Sequence, residues 1–333
     1  MRNLRGDRMP GPSRGRWAWT RRTVGAAILA ILVWRLGASP FLEPLHQLDA
    51  WSLAAAVAIA VPTTVCCAWR WRLVSRGLGS GLPLGAAIGA YYQSQFLNTV
   101  LPGGVLGDVR RAVRRGHEVG DVGCAVRAVA WERTAGQLVQ IALTIVVLLV
   151  LPSPIRSSMP VIAGSVVVAA LAAVVVARTL PRRGPSALAR TARVLATDVR
   201  DGLLAGRVWL GVVLASAVVV AGHAATFLVA ARAAGSTASP TRLLPLVLVV
   251  LLVTALPTNL AGWGPREGGA AWVFPLAGLG ADQGVATAVT YGVMVFVATL
   301  PGAAVMVAAW LRRRPDSHRG LPATAAQEGV AHA

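Results

Sequence analysis

The sequence has no lysine; all 32 of its basic side chains are arginine. Codon bias in a GC-rich genome accounts for that choice. Acidic residues are scarce too, 13 in 333, so the formal charge is +19. A soluble protein so basic would suggest nucleic acid, but no zinc, RNA- or DNA-binding motif accompanies the arginines, and nucleic acid is not expected as a partner. Cysteine amounts to Cys66, Cys67 and Cys124 with no CxxC pair, which argues against a disulfide framework or a thiolate metal site. Charged residues make up only 14%, against about 25% in soluble domains. No stretch is long and polar enough for a second, water-soluble domain.

Apolar length is what the chain has instead. It is 55% hydrophobic, with a mean hydropathy of +0.62. Six segments approach or exceed the ~20 residues that cross hydrocarbon: about 23–38, 50–70, 122–150, 159–180, 208–233 and 285–311. Trp17, Trp19, Trp51, Trp69, Trp71, Trp209 and Trp310 fall near their ends, as an aromatic belt would. Arginine clusters in the N-terminal segment, after the second span (Arg70, Arg72, Arg76), across 181–207 and after the last span, whereas loop 39–49 has none. By the positive-inside rule both termini are cytoplasmic and the chain belongs in a bacterial plasma (inner) membrane. Residues 1–22 read as a basic tail, 23–311 as the membrane domain with an uncleaved first helix, and 312–333 as a disordered tail.

Two further apolar segments do not read as simple crossings. Leu84 to Arg115 is broken at Leu101-Pro102-Gly103-Gly104, and Leu243 to Gly280 at Leu256-Pro257 and at Gly262-Trp263-Gly264-Pro265. A full crossing by the first would invert every later loop and place the 181–207 arginines outside. Parity therefore favours a hairpin that enters and leaves on one face, and a second that enters from the other. Freed backbone groups at such breaks have no lipid partner and need protein or a wet cavity. Opposed broken helices in two halves are the pattern of an inverted repeat around a central site. The expected fold is thus all-α: about six spans plus two re-entrant hairpins in an inverted repeat.

Charge inside hydrocarbon costs roughly 2.5–3.5 kcal/mol per residue on insertion scales, so such residues are functional candidates. Glu132 and Arg133 are adjacent in a span and point to different sides of a helix, so each needs a partner elsewhere. Arg266-Glu267 follows the second break; Asp108 and Arg110 follow the first. Cross-pairing is expected, Glu132 with an arginine of one hairpin and Arg133 with Asp108 or Glu267. Two readings stand side by side: braces that fix the hairpins, and contacts to a headgroup phosphate, for which arginine offers a bidentate fork. Gly103, Gly104, Gly107, Gly262 and Gly264 would let an anion approach the backbone. Asn98 and Asn259 lie beside the breaks, and Gln93, Gln95, Gln137 and Gln140 supply further polarity. The candidate substrate-binding set is Asn98, Gly103, Gly104, Asp108, Arg110, Glu132, Arg133, Asn259, Arg266 and Glu267. His223, mid-span, reads better as a hydrogen-bonded packing residue than as a proton relay. No phosphate loop, nucleophile triad or metal-ligand grouping stands out, so no enzyme activity, cofactor or metal is expected.

At these residues the chain resembles a known family. Phe96 to Arg110 (FLNTVLPGGVLGDVR) is similar to the first signature of the lysylphosphatidylglycerol synthase/flippase membrane domain. Trp131-Glu132-Arg133 resembles its glutamate–arginine motif, and Leu256-Pro257 through Gly262-Trp263-Gly264-Pro265-Arg266-Glu267-Gly268, with Leu276 to Leu279, its second signature. The resemblance covers roughly 20–312. It implies a helical domain that moves lipids between leaflets. Full-length relatives add a soluble aminoacyl-transferase domain, for which this sequence leaves no room, so lipid aminoacylation is not expected. Two functions follow: a translocator of a phospholipid or lipid-linked intermediate, or a non-transporting partner of a lipid- or glycan-modifying enzyme. A polar groove lined by both hairpins would favour the first; a fully packed interior with a contiguous apolar patch outside the membrane would favour the second.

Overall fold

The computed structural model describes residues 27–101, 104–151, 164, 175, 187–206, 208–255 and 263–312, and these are helical with no strand. In chain order the helices are α1 (Ala27–Leu36), α2 (Ser39–Gln47), α3 (Ala50–Gly77), α4 (Leu84–Val100), α5 (Leu106–Val119) and α6 (Val122–Val150). Then follow α7 (Ala187–Thr197), a π-helical turn over Asp198–Leu203, α8 (Val208–Ala233), α9 (Pro240–Thr254), α10 (Pro265–Leu276) and α11 (Ala281–Leu311).

Among the described residues, four helices are long and apolar enough to cross a membrane: α3, α6, α8 and α11. They coincide with four of the six expected spans. The expected span 159–180 lies outside the described residues apart from two isolated helical positions. Two corrections concern the first spans. The stretch 39–49, read as a loop, forms α2, whose Pro40 is buried and which packs on α11. The second span runs on to Gly77 rather than ending near 70. Arg70 and Trp71, assigned to a loop and to the aromatic belt, are therefore interior, at 5% and 2% exposure. Trp51, Trp209 and Trp310 remain exposed at helix ends, where a belt would place them.

Local chemistry starts the long helices and ends the short ones. Asp49 and Asp121 cap α3 and α6, accepting hydrogen bonds from the amides of Ser52 and Cys124 at 2.9 and 2.8 Å. At the first break, Leu101 is extended and Gly104 takes φ 62° just before α5. At the second, Gly264 takes φ 108° just before α10, a conformation open in practice only to glycine.

The helices form two groups of like composition: a long helix, two short helices separated by a break, and a long helix. The first is α3 to α6, the second α8 to α11. Apolar contacts of α8 to α11 build one core around Phe227, Leu246, Phe274 and Met294. A second core gathers Trp71, Tyr91, Ala112 and Val129 from α3 to α6. α3 and α8 join the groups and run antiparallel: Leu73 meets Gly211, Arg70 meets Ser216 and Thr63 meets Gly222. The glycines admit the close approach; a Cβ on Gly211 would lie 2.6 Å from Leu73 Cδ1. The π-helical turn is tied to α6 by Asp198, which accepts hydrogen bonds from Arg127 Nε at 2.8 Å and Trp131 Nε1 at 3.1 Å.

Candidate functional site

A buried charge cluster ties the first break to the long helices. Glu132 of α6 has no exposed surface. Its Oε1 accepts from Arg70 Nε at 2.9 Å, Arg70 Nη2 at 2.5 Å and the Tyr91 hydroxyl at 3.2 Å. Its Oε2 accepts from Arg111 Nη2 at 3.2 Å. Arg70 also donates to Ser216 of α8 at 2.9 Å, so one guanidinium spans three helices. Arg111 lies between two rings, 4.4 Å from the centroid of Trp71 and 4.2 Å from that of Tyr91. Stacking of this kind stabilises a desolvated guanidinium where hydrogen bonds do not reach it.

Asp108 forms the second node. It is the third residue of α5, where a carboxylate also complements the helix N-terminus. Its oxygens accept from Ser94 at 2.9 Å, Arg111 at 2.9 Å, Asn98 at 3.1 Å and Arg133 at 2.5 Å. Asn98 turns its own carbonyl to the Gly107 amide at 2.8 Å. Three guanidinium groups, Arg70, Arg111 and Arg133, thus face two carboxylates, leaving one positive charge in excess. Of the three, Arg133 alone is open, with 45% of its side chain exposed against 6% for Arg70 and 1% for Arg111.

It opens into a cavity of about 690 Å³, within the ~300–1,000 Å³ usual for small-molecule sites. Arg70, Asp108 and Arg133 line it, with Gly104, Gln95, Gln137, Gln140, Ser216, His223 and Tyr291. Val105, Val109 and Val126 add an apolar edge from α5, its lead-in and α6. His223 Nδ1 lies 3.0 Å from the Tyr291 hydroxyl, so the histidine is hydrogen-bonded in the wall, as expected for a packing residue.

The second break carries a separate pair. Glu267 is the third residue of α10, as Asp108 is of α5, and it is fully buried. Arg266 folds back on its neighbour, Nε at 2.9 Å and Nη2 at 2.5 Å from Glu267 Oε1, while Oε2 accepts the Gly264 amide at 2.6 Å. The guanidinium lies 5.1 Å from the Trp263 ring and 5.5 Å from the Tyr291 ring.

The expected cross-pairs form: Glu132 with Arg111 of the first broken segment, and Arg133 with Asp108. Several placements differ. Arg110 is exposed on the outer face of α5; Arg111, one residue on, faces inward because it sits one turn from Asp108. Arg266 and Glu267 pair with each other rather than across the molecule, and neither lines the cavity. Asn98 holds Asp108 and Gly107 behind the wall instead of facing the cavity. Gly107 and Gly264 are not open to an anion: one packs on the Ser94 carbonyl and the other gives its amide to Glu267. Gly103, Gly262 and Asn259 lie outside the described residues. Arg70 was missed as a site residue altogether.

The matching family model spans residues 22–302 and describes the lysylphosphatidylglycerol synthase TM region. The chain belongs to that family. The three stretches singled out in the sequence, around Asp108, Glu132-Arg133 and Arg266-Glu267, lie within the matched range and form the two charge clusters. No curated protein and no solved structure matches the chain. The lysylphosphatidylglycerol synthase TM region is a membrane domain, which agrees with the four long apolar helices.

Proposed function

We propose that this chain is a lipid translocator of the plasma membrane, passing a headgroup through the cavity while the acyl chains stay in the bilayer. The observation that carries this reading is a polar cavity of about 690 Å³ with an open guanidinium, Arg133, inside a molecule of membrane-spanning helices. A headgroup crossing hydrocarbon needs such a polar path. The exposed Val105, Val109 and Val126 give the cavity an apolar edge along which chains can trail. A solid interior, as a purely anchoring or regulatory subunit would have, is not what the helices enclose.

The architecture supports the same reading. In this proposal α3–α6 and α8–α11 are inverted repeats, α4–α5 and α9–α10 are re-entrant hairpins entering from opposite faces, and both termini are cytoplasmic. The antiparallel pairing of α3 with α8 is what an axis in the membrane plane requires of equivalent helices. The matching carboxylates at the third position of α5 and α10 fit it too. The test is reconstitution into vesicles with acyl-chain-labelled lipids and a membrane-impermeant quencher. Protein-dependent exposure of label, lost on Arg133→Ala, is the expected result. Movement of no lipid in a panel of differing headgroups would overturn the proposal.

A further inference from the structure

We infer that the cavity selects lipids whose headgroup bears uncompensated negative charge and rejects cationic, aminoacylated headgroups. The inference rests on the translocator reading and narrows it to a substrate class.

A cationic headgroup is best held by a carboxylate with a free lone pair, and the described residues of the cavity wall offer none. Glu132 is wholly buried and its oxygens are taken by Arg70, Tyr91 and Arg111. Asp108 reaches the wall, but its two oxygens already accept from Ser94, Asn98, Arg111 and Arg133. Among the described residues no other Asp or Glu lines the cavity. The internal stretches between the described residues, 102–103, 152–186, 207 and 256–262, contain no acidic residue, so none of them can supply a carboxylate.

The excess charge in the cluster is positive, and Arg133 is where it meets the cavity. At low dielectric a second cation there is strongly disfavoured, whereas a phosphate gains a planar fork of donors. The rest of the polar wall is neutral. Gln95, Gln137 and Gln140 offer amides, and Tyr291 and Ser216 hydroxyls, which suit a headgroup rich in hydroxyl groups. A phosphodiester bearing glycerol or a sugar, with no ammonium, combines these features. Phosphatidylglycerol and a polyprenyl-phosphate sugar share that chemistry, and the experiment separates them.

Vesicles carrying the protein are loaded with chain-labelled phosphatidylglycerol, phosphatidylethanolamine, lysylphosphatidylglycerol or a polyprenyl-phosphate hexose. Binding of the same four lipids is measured on the detergent-purified protein by native mass spectrometry. One or both anionic lipids should move, and bind, at least about tenfold better than lysylphosphatidylglycerol. Whichever anionic lipid leads identifies the source. Arg133→Gln should erase the preference, and so should Gln137→Glu, which adds a carboxylate to the wall one turn from Arg133 and balances its charge. Equal or better handling of lysylphosphatidylglycerol overturns the charge inference while leaving translocation standing. If nothing moves but anionic lipids still bind preferentially, and the variants abolish this, the charge inference stands and the translocator reading falls. Indifferent binding with no movement refutes both.

Discussion

Replacing Glu132 by alanine removes the acceptor shared by two arginines from different helices, and its cost can be worked from the contacts. The side chain has no exposure and accepts four hydrogen bonds, three of them from guanidinium groups. Without it, Arg70 keeps only its bond to Ser216 and Arg111 only its bond to Asp108, and the cluster carries two excess charges instead of one. Removing one partner of a buried pair costs about 3–5 kcal/mol, a large part of the ~5–15 kcal/mol by which folded domains are stable. Folded yield should fall, and the unfolding midpoint should drop by on the order of 10 °C. The molecule carries its own reporter. Cys67 and Cys124 are free and buried, so a thiol-reactive fluorophore reads their exposure as the detergent-purified protein is heated. Arg70→Leu alone should be comparably damaging. The double variant Arg70→Leu/Glu132→Leu should lose less than either single change, because it removes the charge and its counter-charge together. A Glu132→Ala midpoint within about 2 °C of the unmodified protein would refute the brace, since that is the scale of an ordinary surface substitution.

Arg133→Lys keeps the charge beside Asp108 but loses the planar fork, so translocation should fall at least about fivefold at unchanged protein level; normal movement in the vesicle assay would leave Arg133 as a brace only. Gly136→Ala and Gly292→Ala should each destabilise by roughly 1–3 kcal/mol, read by the same thiol assay. The added Cβ would lie 2.9 Å from Cζ of Arg70 in the first and 2.8 Å from Cζ of Arg266 in the second, pushing each guanidinium off its carboxylate. The Ser52 hydrogen bonds hold the Asp49 carboxyl below its usual range, so its contribution to α3 is present above the unfolded value near 4 and is lost as pH falls through the lowered one. Asp49→Ala should flatten that acid limb of the stability profile.

The long helices were legible because composition alone demands them: α6 and α8 begin and end where the apolar runs do. The breaks were legible because proline and glycine interrupt apolar sequence, and the buried charges because hydrocarbon makes them costly. Arg70 was not, for a physical reason. An arginine after an apolar run of about twenty residues satisfies the positive-inside rule equally well as a headgroup contact. The signal that could have placed it is the stripe Thr64, Cys67, Ala68, Trp71, Val74 and Ser75, whose three- and four-residue spacing continues past Arg70 without a change of face; all six are buried. The same test separates Arg111 from Arg110. Once Asp108 faces the interior, the residue three positions on shares its face and the residue two on does not. How far α10 would fold its Arg-Glu pair back on itself is a tertiary matter, settled by Trp263 and Tyr291 flanking the guanidinium.

The two breaks begin from similar chemistry and end in different states. Each leads through a positive-φ glycine into a helix with a carboxylate at its third position. After the second break, the neighbouring arginine and the Gly264 amide saturate that carboxylate, and the pair is sealed with no charge in excess. After the first, the carboxylate is shared between Arg111 and an arginine from another helix, and the shared arrangement leaves Arg133 uncovered. Burying a balanced pair fixes a helix in place but offers a ligand nothing, because every donor is spent. An unbalanced cluster is less stable in isolation and gains when an anion completes it. Tyr291 links the two, its hydroxyl on His223 in the cavity wall and its ring beside Arg266. The sealed pair therefore positions the wall that faces the open one; on the translocator proposal the segment after the second break is the scaffold and the one after the first is the part that meets the headgroup.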